Sequence, residues 1–87
     1  MEKEEKRPFA VLFGKLLRRR RLEMGLSQAE IAWISKLSEE GYGRIERGES
    51  IPTTLTLSRI HNTTGISMDR IFKEIDRIEK ANKPEEE

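Results

Sequence analysis

The stretch SEEGYGRIERGES, Ser38 to Ser50, gathers the side chains of this chain best suited to hydrogen-bonded recognition. On a helix, Glu39, Glu40, Gly43 and Arg44 share one face, spaced i, i+1, i+4 and i+5, with Tyr42 and Ile45 opposite. Two kinds of chemistry suit that face. Presented to a duplex, an arginine takes guanine O6 and N7 in bidentate fashion, and a glutamate accepts from cytosine N4. In the free protein, Glu39 and Glu40 complement the positive end of the helix dipole, each worth about 0.3–1 kcal/mol. Gly41 and Gly43 together cost the helix roughly 2 kcal/mol against alanine, and the charge capping offsets part of that loss. GYGRIERG superficially matches a glycine-rich phosphate loop, but no strand precedes it and its third glycine is misplaced.

Catalysis has little to work with. The chain has no cysteine, which excludes disulfides and thiolate metal sites, and its one histidine is His61. The pattern puts His61 on the inner side of a helix beside Ile60, as a hydrogen-bonded core residue rather than a ligand or general base. No nucleophile–base pair, paired catalytic carboxylates or metal-ligand spacing can be assembled, so no enzyme, metal or cofactor is expected. Trp33 points away from Ile31 and is therefore outward, either partly covered by its neighbours or an interface anchor.

These residues must be positioned by a small domain. Eighty-seven residues, 34% apolar and 38% charged, suffice for one modest core. Net charge is +1, yet Lys15, Arg18, Arg19, Arg20 and Arg21 crowd together and Glu85 to Glu87 lie at the other end. Such a stripe is either a solvated helix face or a local attraction for phosphates. The longest apolar run, Phe9 to Phe13, is far too short for a membrane span or a signal sequence, so a soluble, cytoplasmic protein is expected.

Five helical segments are expected, with no strand. The first runs from Pro8, a favoured first-turn residue, to Gly25, with Phe9, Phe13, Leu16, Leu17 and Met24 on one face. Arg20 falls on the same stripe and Arg21 on its edge, so each needs a partner or must reach for solvent. Ser27 and Glu30 form a capping box for the second helix, in which Ile31 and Ile34 turn inward and Ala32 permits close crossing. After a break at Ser35-Lys36-Leu37, Ser38 caps the third helix, which ends at Gly48. Pro52, Thr53 and Thr54 open the fourth, with Leu57 and Ile60 inward and Gly65 as its stop. Ser67 caps the fifth, whose apolar stripe of Met68, Ile71, Phe72, Ile75 and Ile78 runs past the point where the core should be complete. A second copy of the chain is the simplest cover for that excess.

Two short helices joined by a tight break describe a helix-turn-helix. GKLLRRRRLEMGLSQAEIA followed by RIERG resembles the Cro/phage-repressor (XRE) class of helix-turn-helix regulators. The resemblance is carried by Gly14, Leu17, Arg21, Gly25, Leu26, Ser27, Gln28, Glu30, Ala32, Ser38, Arg44, Ile45, Glu46, Gly48 and Pro52, and continues through Gly65-Ile66-Ser67, over roughly residues 9 to 72. It implies that the third helix enters the major groove, that Gln28 hydrogen-bonds a phosphate, and that Arg21 and Glu46 form a buried ion pair. The chain departs from the family where Ser35 and Lys36 replace the usual leucine and glycine, where Thr54 and Thr64 replace leucines, and in the acidic, glycine-containing outward face of the third helix. A looser turn and modest stability are expected.

The combined reading is an all-α, compact five-helix, lambda-repressor-like domain over residues 8–80, with flexible tails at 1–7 and 81–87. Its expected function is sequence-specific transcriptional regulation, as a repressor of prokaryotic or phage type. The recognition helix, about residues 38–47, would sit in the major groove of an inverted-repeat operator. Gln28, Ser38, Glu39, Glu40, Gly43, Arg44 and Arg47 would contact double-stranded DNA, and Phe72, Ile75 and Ile78 would form a homodimer interface. The rival expectation is an adaptor of antitoxin or anti-repressor type, binding a protein partner through Trp33 or the acidic face.

Overall fold

The computed structural model describes residues 2–82 of the chain, with side chains over 8–81. Five helices follow one another: α1 (Glu2–Glu23), α2 (Gln28–Ile34), α3 (Glu39–Glu46), α4 (Thr54–Thr64) and α5 (Met68–Asn82). No strand occurs among the described residues. The all-α, five-helix expectation therefore holds. The helix boundaries follow the polar punctuation. The capping box of α2 is complete, the Glu30 amide donating to Ser27 Oγ at 3.0 Å and the Ser27 amide to Glu30 Oε1 at 2.7 Å. Ser38 Oγ accepts from the Gly41 amide at 3.0 Å, Thr53 Oγ1 from Thr56 at 3.2 Å, and Ser67 Oγ from Arg70 at 3.2 Å.

One boundary departs from expectation. The helix expected to start near Pro8 instead starts at Glu2 and carries Pro8 inside it, so the expected tail over 1–7 is helical from Glu2 on. Proline there forfeits one amide near the open end of the helix, and the Glu, Lys and Arg residues before it are good helix formers. Of the tail expected over 81–87, Ala81 and Asn82 close α5, and the rest lies outside the described residues.

Phe13 and Leu17 of α1, Ile31 and Ala32 of α2, Tyr42 and Ile45 of α3, Ile60 of α4 and Ile71 of α5 form one buried core. α3 packs against α1 and α2, and α5 against α1. Gly14 makes the α1–α3 approach possible: a Cβ there would collide with the carbonyl oxygens of Ile45 and Glu46. Along α4 the inner positions go to Ile60 and Thr64, which leaves His61 exposed one position round the helix. His61 is hydrogen-bonded, with Nδ1 2.8 Å from the Ile66 carbonyl oxygen, but it is not the core residue the pattern suggested. Thr64 satisfies its own hydroxyl, donating to the Ile60 carbonyl at 2.7 Å and accepting from the Ile66 amide at 3.1 Å.

The α2–α3 turn shows what the two substitutions there cost. Lys36 occupies the left-handed region, φ 62°, where glycine is at ease and an L-residue pays roughly 1–2 kcal/mol. Ser35 is 2% exposed, and its hydroxyl is buried with no hydrogen-bond partner. Leaving such a group unsatisfied costs about 1–3 kcal/mol. The turn nevertheless closes, with the Leu37 amide donating to the Ala32 carbonyl at 2.8 Å.

Candidate nucleic-acid interface

The turn and the core together hold α3 on the surface with one side open. Tyr42 and Ile45 are buried, while Glu39, Glu40 and Arg44 are exposed on the opposite side, as the helical spacing predicts. Gly43 departs from that pattern, because it is buried. A Cβ built on it would meet Arg47 Nη1 at 2.9 Å and Gln28 Oε1 at 3.6 Å. Gly43 is thus the space into which the Arg47 and Gln28 side chains fold. In the free protein it presents no bare backbone to a groove.

Beneath this face lies a buried polar cluster centred on Glu46. Arg21 donates to it twice, Nε to Oε2 at 2.8 Å and Nη2 to Oε1 at 3.0 Å, the fork geometry of a bidentate pair. Arg21 also donates through Nη1 to the Leu26 carbonyl at 2.9 Å, tying the α1–α2 connection into the same unit. Tyr42 Oη donates to Glu46 Oε2 at 2.6 Å, and Gln28 Nε2 to Glu46 Oε1 at 2.7 Å. Burial alone would raise the Glu46 carboxyl, but the hydrogen bonds from Arg21, Tyr42 and Gln28 outweigh it and hold the group below its ordinary value. The Arg21 guanidinium is raised, chiefly by its bond to Glu46. Burial, reinforced by that same carboxylate, pushes the Tyr42 phenol well up, so it stays a donor.

The cluster exceeds what the sequence reading foresaw. Arg21 and Glu46 do pair, but Tyr42 and Gln28 also converge on the same carboxylate. The i, i+4 spacing of Tyr42 and Glu46 is a signal that could have revealed the first of these. Gln28 gives one amide hydrogen to Glu46 and keeps a second, which leaves it able to donate to a phosphate from a fixed position.

Neither arginine at this exposed face stands alone. Arg44 Nη2 lies 2.7 Å from Glu40 Oε2, an i, i+4 pair, and Arg47 Nε lies 2.9 Å from Glu49 Oε2. The bond to Glu49 raises the Arg47 guanidinium, and the same bond lowers the Glu49 carboxyl. All four side chains remain largely exposed, so each pair is weak. Glu39 has no ion-pair partner among the described residues. The face presents three carboxylates to two guanidiniums, both guanidiniums already engaged.

Elsewhere, Arg20 finds the partner its position demands, donating through Nε to the Thr64 carbonyl at 2.8 Å. Trp33 is 82% exposed. Of the residues expected at a dimer interface, Phe72 is exposed, while Ile75 and Ile78 are half-buried and Ile75 packs against the chain's own core. No described helix is long and apolar enough to cross a membrane, and no group of three or more His, Asp or Glu among the described residues could hold a metal ion.

Comparison with known proteins agrees with this geometry. The helix-turn-helix family matches residues 17–71, which spans Leu17 of the core through Ile71 of α5. The chain is 33% identical over 78 residues to a prophage-derived uncharacterized HTH-type transcriptional regulator, YonR of Bacillus subtilis (strain 168), covering 85% of this chain and 72% of that protein. No solved structure matches the chain. With a matched segment that takes in the Ser27 capping box, the turn at Lys36, the capped third helix and the Arg21–Glu46 pair, this chain belongs to the Cro/phage-repressor-like (XRE) family of helix-turn-helix transcriptional regulators.

Proposed function

We propose that this protein is a sequence-specific transcriptional repressor that acts as a homodimer on an inverted-repeat operator, with residues 38–47 in the major groove. The observation that carries the reading is the exposed face of Glu39, Glu40 and Arg44, held rigidly by the buried Arg21–Glu46–Tyr42–Gln28 cluster. Rigid support is what base reading needs, since a bidentate contact tolerates little displacement.

The pair energies favour exchange over obstruction. Separating exposed Arg44 from Glu40 costs about 0.3–0.5 kcal/mol, the worth of a surface i, i+4 pair. A bidentate arginine–guanine contact discriminates by about 1–3 kcal/mol. Arg44 therefore leaves Glu40 for a guanine, and the freed carboxylate accepts from the N4 amino group of a neighbouring cytosine. Where neither base is offered, the carboxylates face phosphates without compensation and the complex is disfavoured. Ser38, at the capped start of α3, and Arg47 beside Gly43 flank this exchange. Gln28 at the start of α2 spends its second amide hydrogen on the backbone and sets the register. The exposed Phe72, continued by Ile78, supplies the dimer contact that spaces two α3 helices by about one turn of DNA.

A second reading rests on Trp33, whose 82% exposure suits an anchor for a protein partner. In that case the fold is kept as an adaptor and specific DNA binding is lost. Selection of binding sites from random DNA, followed by a salt titration, separates the two. A repressor enriches a palindrome, and log K falls linearly with log salt. A verified dimer that enriches no sequence even at low salt rules the repressor reading out.

A further inference from the structure

A groove on the far side of α1 from the reading helix has the features of a second binding site. Its volume is about 340 Å3, and it is lined by Leu16, Arg19, Arg20 and Glu23 of α1, by the turn from Thr64 to Ser67, and by Arg70 of α5. Gly14 and Arg21, which meet α3, lie roughly 160° round α1 from the centre of this edge, at 3.6 residues per turn. The groove and α3 therefore lie on opposite sides of α1.

The charges in the groove are unevenly committed. Arg20 is fixed in place, with Nε on the Thr64 carbonyl at 2.8 Å and Nη1 on Glu23 at 3.3 Å. Arg19 and Arg70 are exposed, and neither guanidinium makes a hydrogen bond or ion pair among the described residues. Three arginines thus face one glutamate that is already engaged. This contrasts with Arg44 of α3 and Arg47 just after it, each of which carries its own carboxylate. Half-buried Leu16 and Ile66 add apolar surface to the lining. The volume falls at the low end of the range for small-molecule sites, about 300–1,000 Å3. The forked donors of a guanidinium match phosphoryl oxygens as they match a carboxylate, and a phosphoryl group has enough oxygens to engage two guanidiniums at once.

We propose that this groove binds a small phosphorylated metabolite of mononucleotide size, its phosphoryl oxygens between Arg19 and Arg70 and its less polar body on Leu16 and Ile66. The experiment uses the full chain, with pyrophosphate and ADP as probes in calorimetry at physiological salt. Backbone NMR shifts at Arg19 and at residues 65–70 locate the binding. The expected result is saturable binding of at least one probe, weakened by about tenfold or more in Arg19→Glu and in Arg70→Glu. Arg18→Glu, an exposed arginine on the same helix outside the groove, should leave it within about twofold. All three positions are exposed, and circular dichroism verifies that the variants fold. Absence of saturable binding by both probes overturns the proposal. So does an equal loss in Arg18→Glu, which would mean general attraction to a basic helix.

Discussion

Replacing Glu46 by glutamine removes one charge and keeps the side-chain shape, so it isolates what the buried cluster contributes. The carboxylate receives two bonds from Arg21 and one each from Tyr42 and Gln28. The amide offers only one oxygen and turns an N–H₂ toward donors, so Arg21 keeps its buried charge without a counter-ion. Breaking such a pair costs about 3–5 kcal/mol. A domain of this size has a total stability near the low end of about 5–15 kcal/mol, so the loss consumes most of it. Each kcal/mol moves the thermal midpoint by about 4–8 °C in a chain of this length, so the drop is on the order of 12 °C or more. Urea denaturation followed by helical ellipticity measures the loss. A separate cycle of Arg21→Met, Glu46→Leu and their double variant separates pairing from burial. Arg21→Met with Glu46→Leu removes both charges and leaves mainly the Tyr42 hydroxyl unsatisfied, at about 1–3 kcal/mol. The double variant should therefore be less destabilised than the sum of its parts by about 2 kcal/mol or more. Acid supplies an independent readout. The Glu46 carboxyl is held below 4.5 in the fold, so its contribution is complete above that pH and is lost as pH falls through the depressed folded value. Wild type should lose stability in acid, and the apolar double variant should lose less. A Glu46→Gln loss under about 1 kcal/mol, or effects additive within about 0.5 kcal/mol, would refute the assignment of this cluster as the clamp on α3.

Arg44→Ala should relax selectivity at one base position, with a loss on the order of 1–3 kcal/mol on the selected operator and little change on non-specific DNA, measured by competition binding. Lys36→Gly should stabilise the fold by about 0.5–1 kcal/mol, because relief of the left-handed strain is partly offset by the greater freedom of glycine in the unfolded chain. An unchanged or lower urea midpoint would show that the turn is not strained. Phe72→Asp with Ile78→Asp should yield monomers by light scattering while the helical signal persists; Ile75 is left intact because it also packs on the chain's own core.

The parts of the fold that were legible in the sequence are those set by local chemistry. Ser27 with Glu30, Ser38, Thr53 and Ser67 satisfy helix amides within three residues, so their role depends on spacing alone. The Arg21–Glu46 pair spans 25 positions and was legible only through family resemblance, since periodicity cannot match residues so far apart. What escaped notice was decided by the packing of side chains over one another. Gly43 sits at an outward helical angle yet is buried, because Arg47 and Gln28 lie across it. His61 lies beside a buried isoleucine yet is exposed, because Ile60 and Thr64 are enough to fill the inner edge of α4. Pro8 marks a favoured helix start, but the good helix formers before it let α1 run through.

The pairing on α3 also changes what its glutamates mean. An unpaired arginine on a reading helix attracts any phosphate, whatever the sequence, and so raises non-specific affinity along with specific affinity. Here Glu40 and Glu49 cancel that attraction at short range, while each exposed pair remains weak enough for one good base contact to displace it. Selectivity is a difference between affinities, and it grows as much from penalising the wrong site as from rewarding the right one. The acidic residues are therefore compatible with DNA reading provided that the operator offers a guanine to Arg44. If the operator did not, three carboxylates would face phosphates with nothing gained in return. The composition of the selected operator is thus itself a measurement of what Glu39 and Glu40 do.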